Sequence, residues 1–193
     1  MTLMKRRTML GGAMATFLME RAALAAEQKP LELFGVSIKG ASRDQMRQAF
    51  KQGGLRSTRE DRNYWIDTYD AQGVLDGASE FEAGYVSATD KFAYSQYTFP
   101  GFMDTELVGK IISMVASKYG RTTSQSGSYG LGPVIARWSL AQGMQIEVSR
   151  GWPNTTTYLK FIDLTANAQM QNEIEAMKKS QESKKNKAQS GAF

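Results

Sequence analysis

Residues 92–120 read FAYSQYTFPGFMDTELVGKIISMVASKYG, and the change of period inside this stretch decides the fold. From Phe92 to Phe99 the pattern alternates. Phe92, Tyr94 and Gln96 point one way and Ala93, Ser95 and Tyr97 the other, at the two-residue period of a strand. Asp104 stands as an N-cap with Glu106 in the favourable first turn. Leu107, Val108, Ile111, Ile112, Met114 and Val115 follow at helical spacing until Tyr119-Gly120 closes the run. An aromatic strand feeding directly into an aliphatic helix indicates an α+β fold, with both packed into one core.

The segments on either side repeat that plan. Upstream, LELFGVSI (31–38) alternates roughly as a strand, and Ser42 with Gln45 three residues later forms a capping box. Met46, Ala49 and Phe50 continue at helical spacing to Gly53-Gly54. Strand-like runs at Tyr64–Asp70, Ser79–Ser87 and Lys91–Phe99 are separated by Gln72-Gly73, Asp76-Gly77 and Thr89-Asp90 turns. Downstream of the second helix come Val134–Leu140, Met144–Arg150 and Thr156–Asp163, with Ala141-Gln142-Gly143 and Trp152-Pro153-Asn154 as turns. Thr165 is the candidate cap of a last helix carrying Met170, Ile174 and Met177. The expected architecture is two consecutive helix–three-strand units, 42–99 and 104–163, aligning Trp65 with Trp138 and Tyr94 with Tyr158. Their antiparallel sheet or sheets have the helices packed on one side, and a C-terminal helix is added.

This tandem plan has an aliphatic helix ending in Lys118-Tyr119-Gly120 and a tryptophan strand before a glycine-containing hairpin. It resembles small exported bacterial domains of the beta-lactamase-inhibitor-protein-like and outer-membrane-assembly-subunit-like kind. The resemblance implies action by binding other proteins. The disulfides of the inhibitor and the acylated cysteine of the assembly subunit have no counterpart here, because the chain contains no cysteine.

The first 25 residues read as a cleavable export signal. Lys5, Arg6 and Arg7 precede an apolar stretch from Met9 to Met19, and Ala23-Leu24-Ala25 before Ala26 offers an A-x-A cleavage point. Arg6-Arg7-Thr8-Met9-Leu10 also fits a twin-arginine motif, so export to the periplasm or beyond is expected by the Sec or twin-arginine route. No stretch is long enough for a transmembrane segment. The net charge of +5 is carried by the ends. Residues 1–25 hold four basic groups and one acid, and Lys178–Lys187 holds five lysines and one glutamate. The segment 26–177 between them is therefore slightly acidic, which argues against a nucleic-acid partner. Residues 178–193 are expected to form a disordered basic tail.

The chain of 193 residues has no histidine and no cysteine. That removes Ser-His-Asp and Cys-His nucleophiles and ordinary zinc, copper or haem ligation, so no cofactor, metal site or catalytic residue is expected. Besides lysine and tyrosine, carboxylates are the remaining acid–base groups. Glu80 and Glu82 share a sheet face, which leaves open a carboxylate-dependent hydrolase acting on an envelope glycan. A small-ligand carrier with a pocket between the units is a further alternative. The leading expectation is a non-enzymatic binding protein whose partner is another envelope or secreted protein. Its contacts are assigned to Tyr129 on the glycine-rich segment 121–133, Trp152 in its turn, and Trp65, Tyr69 and Arg150 on an aromatic sheet face. Gly127, Gly130 and Gly132 do not make a phosphate loop, because no Gly-Lys-Ser/Thr follows and the segment leads into a strand.

Overall fold

The computed structural model describes residues 30–190. The export signal, with Arg6, Arg7, Ala25 and Ala26, lies outside the described residues, as do 27–29 and 191–193. The chain enters through a small hairpin, β1 (Glu32–Leu33) and β2 (Val36–Ser37), and reaches helix α1 (Arg43–Gln52). Ser42 closes the capping box, its side chain accepting from the Gln45 amide while the Gln45 side chain accepts from the Ser42 amide at 2.9 Å. Four strands follow: β3 (Arg56–Arg59), β4 (Ile66–Asp70), β5 (Glu80–Val86) and β6 (Lys91–Phe99). Helix α2 (Leu107–Tyr119) and four more strands come next: β7 (Ser124–Gly127), β8 (Val134–Ser139), β9 (Met144–Arg150) and β10 (Thr157–Asp163). Helix α3 (Leu164–Ser190) completes the order. Each half is thus a helix followed by four strands rather than three.

The eight strands form one antiparallel sheet in the order β3-β4-β5-β6-β10-β9-β8-β7. The halves join edge to edge through β6 and β10, with Tyr97 opposite Leu159. Beneath α1 and α2, two rows of side chains cross the seam. One is Tyr69, Phe81, Tyr97, Leu159, Val148 and Ala136, and its neighbour is Asp67, Ala83, Ser95, Phe161, Ile146 and Trp138. The bulky end of each row lies in a different half, so a two-fold operation about the seam exchanges Tyr69 with Trp138 and Asp67 with Ala136. The counterpart of Trp138 is therefore Tyr69, not Trp65; the same operation relates Tyr94 to Tyr158. Phe50 of α1 packs edge-on against Tyr69 and Phe81, with ring centroids 5.3 and 4.8 Å apart. Val108, Ile111, Ile112 and Val115 bury the α2 stripe against the other half.

Several local expectations are corrected. A bulge between Gly84 and Tyr85 shifts the register, so Phe92 faces the core with Tyr97 while Tyr94 faces the other side. Asp104 caps α2 from two residues further out than the N-cap, Glu106, its carboxylate accepting from the Glu106 and Leu107 amides. Asp163, not Thr165, caps α3, accepting from the Thr165 and Ala166 amides. Helix α3 lies on the sheet face opposite α1 and α2, with Met170 buried against Val86, Ala93 and Tyr94. It then continues through the lysine-rich segment, which was expected to be disordered, as far as Ser190. Lys, Gln, Glu and Ala all favour helix, and every side chain from Glu175 to Ser190 is exposed.

The first half also buries a charge cluster. Asp67 is fully buried on β4. Arg43 Nε and Nη2 donate to its oxygens at 3.1 and 2.9 Å, and Arg47 Nε and Nη2 donate at 2.8 Å each. Arg43 Nη2 also donates to the Asp61 and Tyr64 carbonyls, which pins the loop before β4, and its guanidinium lies 4.6 Å from the Tyr85 ring centroid. Burial opposes ionisation of Asp67, but hydrogen bonds from Arg47 and Arg43 outweigh it and hold the carboxyl below its ordinary value. The stability it contributes is present above an unfolded pKa of about 3.9 and is lost as pH falls through the lower folded value. Asp67→Asn leaves Arg43 and Arg47 only the more distant Asp90 and Glu60 carboxylates, at 3.7 and 4.0 Å, and should cost about 3–5 kcal/mol in urea denaturation at pH 7. The wild-type advantage should shrink below about pH 4. A loss under about 1 kcal/mol, or one that persists unchanged in acid, would remove the cluster from the folding account.

Candidate functional site

At the end of the sheet where β6 finishes and β10 begins, three loops converge. They are 100–106 between β6 and α2, 128–133 between β7 and β8, and 151–156 between β9 and β10. Their convergence has an identifiable cause in Arg150, the last residue of β9, which is 1% exposed. Its Nη1 donates to the Thr105 carbonyl at 2.9 Å and to the Tyr129 carbonyl at 2.8 Å. Its Nη2 donates to the Ser128 carbonyl at 3.0 Å and to the Gly132 carbonyl at 2.7 Å. The guanidinium also lies 6.0 Å from the Trp152 ring centroid. One planar donor fork thus fixes two loops and contacts the third, a geometry that a lysine ammonium cannot reproduce. Loops 100–106 and 151–156 also pack closely, for a Cβ at Gly101 would collide with the Thr155 carbonyl.

What these loops display is apolar. Phe102 is 95% exposed, Met103 85% and Leu131 72%, with Tyr129 and Trp152 a little under half exposed. These are five of the nine large hydrophobic side chains exposed among the described residues. Phe102 and Met103 both have left-handed backbone, at φ 37° and 69°. A shallow cleft of about 250 Å³ runs between Pro100–Met103 and Pro153–Thr156. Tyr129 rests near Gly109 of α2, and its hydroxyl accepts from Gln125 Nε2 at 2.9 Å. The nearby carboxylates are engaged locally: Asp104 caps α2, and Glu106 lies 3.9 Å from Lys110. Apart from the Tyr129 phenol, the exposed side chains Phe102, Met103, Leu131 and Trp152 carry no nucleophile or proton-transfer group. The surface is chemically suited to apolar contact.

The residues assigned to a binding face therefore divide. Tyr129 and Trp152 come together here and are accessible. Arg150 lies beneath them, holding the loops rather than meeting a partner. Tyr69 is elsewhere and buried, because its place on β4 turns it towards Phe50 and Phe81. Trp65 is half-buried on the α3 side, its Nε1 donating to Glu173 at 3.1 Å. The irregular segment 121–133 is in part strand β7. Of the carboxylate pair, Glu80 is exposed at its strand end, while Glu82 accepts from the Tyr94 hydroxyl at 3.0 Å. Phe102, Met103 and Leu131 were not singled out in the sequence. Their signal is that they are large apolar residues outside any helix or strand period. Among the described residues no group of three or more carboxylates could hold a metal ion, and no helix is long and apolar enough to cross a membrane. Arg150→Met should cost about 3 kcal/mol, because it removes four charge-assisted bonds to carbonyls. It should also broaden the amide NMR signals of residues 128–132 while sparing those of β3–β5. Sharp, unshifted loop signals in that variant would remove Arg150 as the clamp.

No family model and no curated protein matches this chain. Among solved structures it is similar to a DUF4309 family protein (YjgB) from Bacillus subtilis subsp. subtilis str. 168. The two share 12% identity over 70% of this chain and 86% of that one, with a TM-score of 0.40.

Proposed function

We propose that the chain is an exported, non-enzymatic binding protein that docks on another envelope or secreted protein through its apolar loop end. The observation that carries this reading is the gathering of Phe102, Met103, Tyr129, Leu131 and Trp152 on three loops, two hydrogen-bonded to one buried arginine and the third in contact with it through Trp152. Phe102 and Met103 contribute little burial to the fold, and their left-handed backbone costs roughly 1–3 kcal/mol each. Such a cost is retained where the exposed side chain has work to do. Aromatic and methionine side chains are enriched at the centres of protein interfaces, and a pre-set loop conformation reduces the entropy lost on association. No lysine lies on the three loops, and the Arg150 charge is spent on carbonyls, so an anionic lipid surface is the less suitable occupant. The signal-like residues 1–25 support the location.

Fully burying a Phe, Leu or Met side chain is worth about 2 kcal/mol, and each 1.4 kcal/mol is tenfold in affinity. A Phe102→Ser, Leu131→Ser double variant should therefore weaken binding by roughly 100-fold or more. The partner would be isolated from native envelope extract with the tagged protein, and its affinity then measured by titration. The melting temperature should be unchanged or slightly raised, since both residues are exposed. Equal affinity of variant and wild type for a stoichiometric partner would overturn the assignment.

A further inference from the structure

The face of the sheet opposite α1 and α2 is only partly covered by α3. Helix α3 lies over the row containing Gly84, Tyr94 and Ile162 and leaves the next row open. Directly opposite one another across that open row stand Thr68, Glu82, Gln96, Lys160, Glu147 and Arg137. Its charges are not all matched. Glu147 is ion-paired with Arg137 at 2.8 Å. Among the described residues, Glu82 accepts only from the neutral Tyr94 hydroxyl, at 3.0 Å. Burial, reinforced by the Glu82 charge, pushes the Tyr94 phenol well above its ordinary value, so it remains a donor. The Lys160 ammonium has no hydrogen bond or ion pair among the described residues. The row therefore holds one surplus carboxylate and one surplus ammonium, with Gln96 between them.

Glu82, Tyr94, Glu147 and Lys160 line a cleft of about 200 Å³ at the seam of the two halves, roofed by Asn167 and Gln171 of α3. Neither amide has a hydrogen-bond partner among the described residues, and Ile162 supplies an apolar wall. That volume is small for a drug-sized ligand, which needs about 300 Å³ or more, but it accommodates a single amino acid. Glu82 and Lys160 lie two strands apart, about 9.5 Å between backbones. From that spacing their long side chains reach the ammonium and the carboxylate of one α-amino acid, whose two charged groups are separated by a single carbon.

We propose that this cleft is a binding site for a free α-amino acid, with the ligand ammonium on Glu82, its carboxylate on Lys160, and its side chain beneath Asn167 and Gln171. The site is separate from the apolar loop end, so loop variants leave it intact. The test is an NMR titration of the whole labelled protein with a panel of free amino acids from alanine to glutamine. N-acetylated and C-amidated forms of the same amino acids provide the controls. At least one free amino acid should shift the signals of Tyr94, Ile162, Asn167 and Gln171 with a Kd near ~1 mM or tighter. Blocking either end should weaken binding at least tenfold, as should Lys160→Met or Glu82→Gln in variants whose spectra show an intact fold. Absence of shifts with every member at about 10 mM, where such a site would be some nine-tenths filled, overturns the proposal. So does equal binding of the blocked forms, or unchanged affinity in both variants.

Discussion

The antiparallel pairing of β6 with β10 is the contact on which the rest of the architecture depends, because each half alone has one helix and four strands around a small core. Six aligned residue pairs, from Phe99 opposite Thr157 to Tyr94 opposite Ile162, turn two marginal sheets into one of eight strands. The same pairing removes two exposed edges that would otherwise invite association. Among the described residues it leaves β3 and β7 as the edges of this sheet, both short and exposed throughout. It also sets where chemistry can happen. The chain leaves β6 and enters β10 at the same end of the seam, so loops 100–106 and 151–156 must lie side by side. Across the face opposite α1 and α2, the seam places Glu82 and Lys160 on either side of Gln96. The loop end and the polar cleft are two consequences of one strand pairing.

Two buried arginines are stabilised in different ways, and the difference separates architecture from display. Arg43 shares the Asp67 carboxylate with Arg47, with Asp90 3.7 Å from Arg43 and Glu60 4.0 Å from Arg47, a cluster that locks α1 to β4. Removing Asp67 leaves two cations facing each other in a desolvated place. The two-fold counterpart of Asp67 is Ala136, so the second half has no equivalent lock at that position. Its buried cation, Arg150, is instead solvated by four carbonyls from two loops. Those carbonyls belong to segments with few apolar contacts of their own. The first arrangement stabilises a helix on a sheet, and the second gives a fixed shape to loops that would otherwise be mobile.

The fold class was legible because its signals are local. The capping box at Ser42 and Gln45, the aliphatic stripe of α2, and the alternation in β4–β6 and β8–β10 each depend on neighbours a few residues away. The strands that were missed, RSTR at 56–59 and SQSG at 124–127, are exposed on both faces and so carry no alternation. The bulge that turns Phe92 inward is a property of pairing with β5 and leaves no mark in β6 alone. At the candidate site, Tyr129 and Trp152 were legible as aromatics in glycine- or proline-containing loops. Arg150 was misplaced because an arginine at a strand end usually reaches solvent, whereas here three loops fold over it. Tyr69 was misplaced for the converse reason: polar Asp67 and aromatic Tyr69 share the buried side of β4, and only the guanidinium groups of α1 make that side recognisable as core. Phe102 and Met103 lie outside every period, and a reading built on periods passes over them.

Site-specific photo-crosslinking in the native envelope tests the binding surface most directly. A photoreactive amino acid would replace Phe102 or Leu131 at the loop end, and Met114 or Met177 as exposed apolar controls on α2 and α3. The expected result is one common protein adduct from positions 102 and 131 and none from 114 or 177. Equal labelling from all four positions, or an adduct from the helices alone, would contradict the assignment of the loop end as the surface through which this protein acts.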